Sequence, residues 1–266
     1  MKTDQIFAEM LDKIITNGKD ISTRNSITKR HRNLTATFDS TPLISVRKTA
    51  WKLALREFEW FLSGSNNIND LHPSVRHWWQ PWAEEDGSIN NNYSTQLTDF
   101  VGHYGSVNQI EAIIDGIKNH PFSRRNILTT WNTSDMLHST TKITNCHNSL
   151  TQAFVEPDNS LHLTTYQRSS DMVLGVPHNF IQMWSFLLYL AHQGNRTVGS
   201  LTWIGGDCHV YESHYEAASK IINSDLSQIN TPNLIYNPTS DKFLASDFSL
   251  DSLYIPNNTD KLEMIV

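Results

Sequence analysis

Helical and strand-like signals are interspersed along this 266-residue chain without strict alternation, and that order constrains the fold more than any other feature. Ile6, Phe7, Met10, Leu11, Ile14 and Ile15 recur at helical spacing until Gly18 stops them. Leu53, Phe58, Phe61 and Leu62 predict a helix over 49–62, closed by Ser63-Gly64. Ile110, Ile113, Ile114 and Ile117 predict another from about Val107 to Lys118, ended by His120-Pro121. Pro177 opens a long apolar helix to about His192, broken by Gly194 and Asn195, and a last helix follows over 211–223. Between these lie short strand candidates at 42–46, 126–131 and 198–204, and a pair at 150–155 and 161–167 joined by the turn Glu156-Pro157-Asp158-Asn159. Residues 22–33 are polar and aperiodic, and read as a loop. Residues 66–98 are turn-rich, and the tail after Asn230 is irregular. With no repeat, low-complexity tract or linker, the pattern predicts one α/β (α+β) domain over 1–266 with a mixed sheet flanked by helices.

Charge and cysteine content narrow the function. The formal charge of −6 argues against a general nucleic-acid binder, while a local arginine cluster can still hold a small anion. Two cysteines, Cys146 and Cys208, make no disulfide framework and suit a reducing cytoplasm. No apolar run reaches the length of a membrane span, and acidic residues interrupt the N-terminal apolar stretch, which is therefore no signal peptide.

Four groups can carry chemistry. Asn145-Cys146-His147 precedes a strand, where the cysteine is either a nucleophile with a stabilised thiolate or a buried structural residue. Gln167-Arg168-Ser169-Ser170-Asp171 closes a strand and either binds an oxyanion or makes a surface ion pair. Arg124-Arg125, between a helix stop and a strand, faces solvent or holds a phosphate. The run 205–211, Gly-Gly-Asp-Cys-His-Val-Tyr, lies between a strand and a helix. Its glycines either admit a ligand, with His209 and Tyr211 reaching one hydroxyl, or form a tight turn capped by Asp207. A metal site is not expected, because neighbouring residues of each Cys-His pair point to opposite faces and no second ligand stands at finger spacing.

Taken together, these blocks resemble the thymidylate synthase family over almost the whole chain. The resemblance rests on Pro42-Leu43-Ile44-Ser45 with Arg47-Lys48, the run 57–62 (EFEWFL), Trp79-Gln80-Pro81-Trp82, Ser123-Arg124-Arg125, Cys146-His147, the run 167–179 (QRSSDMVLGVPHN), 206–211 (GDCHVY) and the terminal 261–266 (KLEMIV). It implies a homodimer whose sheets pack back to back, with dUMP and 5,10-methylenetetrahydrofolate as substrates and no metal. It implies Cys146 as the nucleophile that adds to C6 of the pyrimidine, so that C5 becomes carbanion-like. A free thiol titrates near about 8.5, so a nearby cation helps, and Arg168 is the candidate, also holding phosphate with Ser169. Arg24 and, from the partner subunit, Arg124 and Arg125 supply further phosphate charge. Glu57 acts through water as acid and base, and Tyr93 joins the same polar network. Gln167 belongs to the substrate site, and His209 with Tyr211 binds the sugar hydroxyl. Trp79, Trp82, Asp171 and Val266 shape the folate site, closed by the tail. Asn179 accepts from uracil N3–H and donates to O4, a pattern that cytosine reverses.

The product is a separate question, because water or hydride can complete the same reaction. Ile89-Asn90-Asn91-Asn92-Tyr93 and Gln80 after the first tryptophan of the pair depart from the synthase pattern and look like the phage nucleotide hydroxymethylases, and His178 before Asn179 replaces the usual aromatic residue. So does Arg24-Asn25-Ser26 depart, in place of Arg-Thr-Gly. Extra polar side chains near C5 would order an attacking water. The expectation is therefore a dUMP hydroxymethylase making 5-hydroxymethyl-dUMP, in the cytoplasm, of the host if the source is viral. Thymidylate synthase, making dTMP and dihydrofolate, is the alternative, supported by Trp82 and the tail. A Cys/His or metal-binding hydrolase and a non-catalytic nucleotide-binding dimer are the alternatives of other classes.

Overall fold

The computed structural model describes residues 3–24, 26–90, 92–138, 142, 145–227 and 229–265. Among these described residues, eight α-helices and ten strands follow the interspersed order expected. The helices are α1 (Thr3–Asn17), α2 (Trp51–Leu62), α3 (Pro73–Trp79), α4 (Tyr93–Thr98), α5 (Gln109–Asn119), α6 (Thr133–Met136), α7 (Val176–Gly194) and α8 (Tyr215–Ile222). The strands are β1 (Lys19–Ser22), β2 (Ile27–Phe38), β3 (Phe100–Gly102), β4 (Gly105–Val107), β5 (Ile127–Leu128), β6 (Leu150–Val155), β7 (Ser160–Asp171), β8 (Thr197–Tyr211), β9 (Leu234–Tyr236) and β10 (Phe248–Leu250).

The main sheet has six strands in the order β1-β2-β8-β7-β6-β5. It is mixed: β7 and β8 pair parallel, and the other neighbours pair antiparallel. A parallel pair needs a crossover, and α7 supplies it. Its apolar sequence is matched by burial of nearly every residue from Val176 to Gly194, so α7 is the central strut of the core rather than a surface helix. Asn195 ends it in the left-handed conformation (φ 54°), its N–H bonding back to Ala191 and His192 carbonyls. Phe58 and Phe61 of α2, Phe180 and Phe186 of α7 and Trp203 of β8 are fully buried in one continuous core.

Four local expectations are corrected. Residues 27–33, read as loop, belong to β2, a long strand paired to β1 and β8. Its alternation was hidden because most of the side chains away from the core are polar, with only Thr28, Leu34, Ala36 and Phe38 buried. Residues 42–46, read as strand, are buried coil: the N–H groups of Ser45 and Val46 donate to Asp4 Oδ1 (2.6 and 2.8 Å) instead of to a neighbouring strand. Of 126–131 only β5 pairs, since the Thr129 N–H is taken by Gln109 Oε1 and that of Trp131 by Thr129 Oγ1. Finally, 205–211 is not a tight turn before a helix but the second half of β8, from which Asp207, His209 and Tyr211 line a recess. Gly206 is there because a Cβ would lie 2.3 Å from the Tyr166 hydroxyl, and α8 starts only at Tyr215.

Candidate active site

A cavity of about 450 Å³ opens where β7 ends and α7 begins, the position that a parallel β-α-β unit offers to a ligand. Glu57, Trp79, Trp82, Tyr93, Cys146, Asp171 and Asn179 all line it, although they come from α2, α3, the 3-10 turn after α3 (Gln80–Trp82), α4, the loop before β6, β7 and α7. A smaller recess of about 260 Å³ lies at the same end of the sheet, lined by Arg24, Arg30, Ser169, Asp207, His209 and Tyr211. Ser169 and Asp171 of β7 sit in register with Asp207 and His209 of β8, which ties the two recesses together.

Cys146 is half-buried and free of any disulfide. Tyr93 organises it. The Tyr93 hydroxyl accepts the N–H groups of Cys146 (2.7 Å) and His147 (3.3 Å) and lies 3.3 Å from Cys146 Sγ. With both backbone donors pointing at its oxygen, the hydroxyl proton is left to face the sulfur. Burial, and then the neighbouring sulfur, hold the phenol well above its usual range, so Tyr93 stays a neutral donor. Phe61, Tyr93 and His147 form a stack, with ring centroids 4.6 and 4.5 Å apart. His147 is pushed down to about 3 by burial and is neutral. Arg168 braces the same loop: its N–H donates to Cys146 O (3.0 Å), its Nε to Asn145 O (2.8 Å), and its guanidinium lies over the Trp131 ring at 5.1 Å.

Glu57 is a half-buried carboxylate with two donors. Trp79 Nε1 reaches Oε1 at 2.6 Å and Gln182 Nε2 reaches Oε2 at 2.7 Å. Desolvation outweighs both bonds and raises Glu57 to about 7, so it can give or take a proton near neutral pH. Trp79 is thus mainly a partner of Glu57, being 5 % exposed, whereas half-buried Trp82 offers its ring to the cavity beside Leu262 and Met264 of the tail. Asp171 lines the cavity and also accepts the N–H groups of Val173 and Leu174 (3.1 Å each), holding the turn into α7. Gln167 is buried and donates to Asn179 Oδ1 at 3.1 Å.

In the smaller recess Arg30 pairs with Asp207 (3.3 Å), which in turn accepts from His209 Nδ1 (3.0 Å). Tyr211 stands edge-on to His209, centroids 5.2 Å apart. Arg124 and Arg125 are exposed before β5 and line neither recess. Val266 lies outside the described residues. Among the described residues no three His, Cys, Asp or Glu side chains gather as a metal-ligand set, and no helix is long and apolar enough to cross a membrane.

The sequence profile described as Thymidylate synthase matches residues 5–266. The chain belongs to the thymidylate synthase family. Members of the family are one-carbon transferases. Curated relatives include a thymidylate synthase of Corynebacterium aurimucosum, 36% identical over 179 residues, an alignment covering 67% of this chain and 65% of that protein. One of Buchnera aphidicola is 37% identical over 214 residues, 79% of this chain and 78% of its own. Among solved structures, thermostable thymidylate synthase A from Bacillus subtilis superposes with a TM-score of 0.88 at 29% identity, covering 100% of this chain and 99% of the other.

Two of the departures from the thymidylate synthase pattern, His178 and Asn92, have structural roles. His178 lines the cavity, yet both ring nitrogens are engaged: Nδ1–H donates to Leu174 O (2.9 Å) and Nε2 accepts from the Ala50 N–H (3.2 Å). Burial lowers it to about 4, so it is neutral. Asn92 caps α4, its Oδ1 accepting from the Thr95 N–H (2.9 Å). Gln80 and Asn90 are exposed and line neither recess, and Asn91 and Asn25 lie outside the described residues. Sequence reasoning missed Gln182 and Arg30. Gln182 had a signal, a long polar side chain in the most apolar helix, which must find partners if buried. Arg30 had none, because its strand was read as loop.

Proposed function

We propose that the chain acts as one catalytic domain that transfers a one-carbon unit to C5 of dUMP and forms dTMP, as its likeness to thymidylate synthases suggests. One observation carries this reading: a sulfur, a titratable carboxylate and an oriented amide converge on one cavity as Cys146, Glu57 and Asn179. Cys146 Sγ forms a bond to C6, and the ring electrons move onto O4 and C5. Tyr93 donates to the sulfur before addition and after its release. Asn179 accepts from N3–H and donates to O4, where negative charge develops. Glu57, near pKa 7, returns a proton at O4 and assists removal of the C5 proton. Expulsion of the Cys146 thiolate restores the aromatic ring.

The flat Trp82 ring and the apolar Leu262 and Met264 fit a pteridine-sized group over this centre, consistent with 5,10-methylenetetrahydrofolate. When bound, that co-substrate supplies the one-carbon unit and then a hydride. Arg24, Ser169 and Arg168 receive the phosphate, and His209 and Tyr211 the sugar hydroxyl. A homodimer accounts for Arg124 and Arg125, which reach the partner's phosphate recess. The cross-strand row Leu150, Tyr166 and Ile204, with Phe154 beside it, gives the sheet an apolar outer face suited to such packing.

Methylation is preferred to hydroxymethylation because the residues that suggested an attacking water are otherwise occupied: His178 by two backbone bonds, Asn92 by its cap, Gln80 and Asn90 by solvent. Incubation with dUMP and methylenetetrahydrofolate should give dTMP by mass, with dihydrofolate absorbance rising in step. Hydroxymethyl-dUMP without dihydrofolate would transfer the reading to the hydroxymethylase. Fluoro-dUMP with the folate should leave a stable adduct on Cys146, and its absence would remove the transferase reading.

A further inference from the structure

Gln182 is fully buried, and each of its polar atoms is committed. Nε2 donates to Ala54 O (3.0 Å) and to Glu57 Oε2 (2.7 Å), while Oε1 accepts from Asn179 Nδ2 (3.2 Å). The arrangement follows from helix geometry: Asn179 and Gln182 are three apart on α7, Ala54 and Glu57 three apart on α2, and the two packed helices present these pairs to each other. A backbone carbonyl only accepts, so the Gln182 atom facing Ala54 O has to be nitrogen and the atom facing Asn179 has to be oxygen. The other end is anchored independently. Trp203 Nε1–H only donates, and it reaches Gln167 Oε1 at 2.9 Å. The Gln167 nitrogen then faces Ser169 O and Asn179 Oδ1, both at 3.1 Å. Both ends therefore force one orientation on the Asn179 amide.

We propose that Gln182 is a positioning residue that couples base selection to acid–base chemistry. It locks the Asn179 amide in the uracil-reading orientation and holds the Glu57 carboxylate with the same amide group. This deepens, and rests on, the dUMP reading above. With Oδ1 facing Gln167 and one N–H facing Gln182, Asn179 keeps one lone pair and one N–H for the ligand, the complement of uracil N3–H and O4. Turning the amide over to suit cytosine would set oxygen against oxygen at Gln182 and nitrogen against nitrogen at Gln167. Cytosine is thus refused by the relay and not by Asn179 alone.

The test compares steady-state rates on dUMP and dCMP across pH for the wild-type enzyme and two variants. Gln182→Met removes every polar contact at nearly constant volume. The dUMP-to-dCMP preference should fall about tenfold or more, as expected when a buried polar partner is lost. The pH limb set by Glu57 should move upward, because a donor to its charged form has gone. Gln182→Glu keeps an oxygen facing Asn179 but places a second carboxyl beside Glu57, so the preference should persist while the limb still rises. It also serves as the test if the methionine variant does not fold. An equal loss on both nucleotides with an unmoved limb in Gln182→Met would overturn the proposal. So would a glutamate variant that loses the preference or leaves the limb in place. Wild-type enzyme that fails on dUMP, or prefers dCMP, would instead defeat the underlying dUMP reading, and the proposal with it.

Discussion

The two recesses at the end of the sheet are built in opposite ways. The wall formed by α2 and α7 is dry: Glu57, Gln182, Asn179 and Gln167 pair with one another and with Trp79, Trp203 and Ala54. The recess between β2 and β8 is wet, its Arg30–Asp207 pair about one-third exposed on each side. Burial makes donor and acceptor patterns decisive, because an unmatched polar group in the wall costs about 1–3 kcal/mol. Exposure makes charge useful for attraction but weak for discrimination. On the proposed reading, the wall chooses the base and the recess gathers a phosphate whose charge any nucleotide shares.

Several outcomes would break or sharpen that contrast. Cys146→Ser should cost the largest factor, about ten-thousand-fold or more in kcat, since the covalent route disappears. Near-normal turnover in a steady-state assay would be incompatible with the mechanism. Next in size is Asn179→Asp. A carboxyl in the wall presents acceptors to the cytosine amine, and the dUMP-to-dCMP ratio of kcat/KM should drop about a hundredfold. Unchanged selectivity would mean that the wall does not read the base. Arg24→Gln and Arg125→Gln, on the open side, should raise KM for dUMP about tenfold each with little change in base preference. Their effect should shrink as salt is raised, unlike that of Asn179→Asp. If Arg125 acts across a dimer, mixing Arg125→Gln with Cys146→Ser subunits should restore activity to one site per heterodimer.

A last outcome concerns stability and not turnover. His147 and His178 are held neutral, at about 3 and about 4 against an ordinary 6.5, so the unfolded chain binds more protons than the folded one below pH 6.5. Stability should therefore fall as the pH drops from 6.5. Glu57, raised from 4.5 to about 7, acts in the opposite direction: its contribution is present below 4.5 and lost as pH rises to about 7. The two partly cancel between 4.5 and 6.5, and below 4.5 the histidines act alone. Unfolding free energies from urea titrations between pH 7 and pH 4 should decline by a few kcal/mol in total, more steeply for Glu57→Gln. A curve unchanged by that substitution would show that Glu57 is not the raised group.

Much of this was legible in the sequence. Amphipathic periodicity marked α1, α2 and α5, and a long, mostly apolar run marked α7, because a helix writes its burial into spacings of three and four. The side chains proposed to carry chemistry were legible as well: Cys146, Glu57 and Asn179 line the larger recess, His209 and Tyr211 the smaller, and Arg168, which lines neither, braces the Cys146 loop. The tertiary structure alone decided what depends on partners distant in the chain. Whether residues 27–33 are strand or loop depended on β8, nearly 180 positions away, and a polar strand carries no sign of its own. Whether His178 orders water or braces a helix depended on the Ala50 N–H. The orientation of the Asn179 amide depended on an indole from β8 and a carbonyl from α2. Local sequence sets which groups are available and which segments must be buried. Hydrogen bonds between distant segments set which of those groups stay free for a ligand, because a buried donor or acceptor claimed by the fold is no longer available for chemistry.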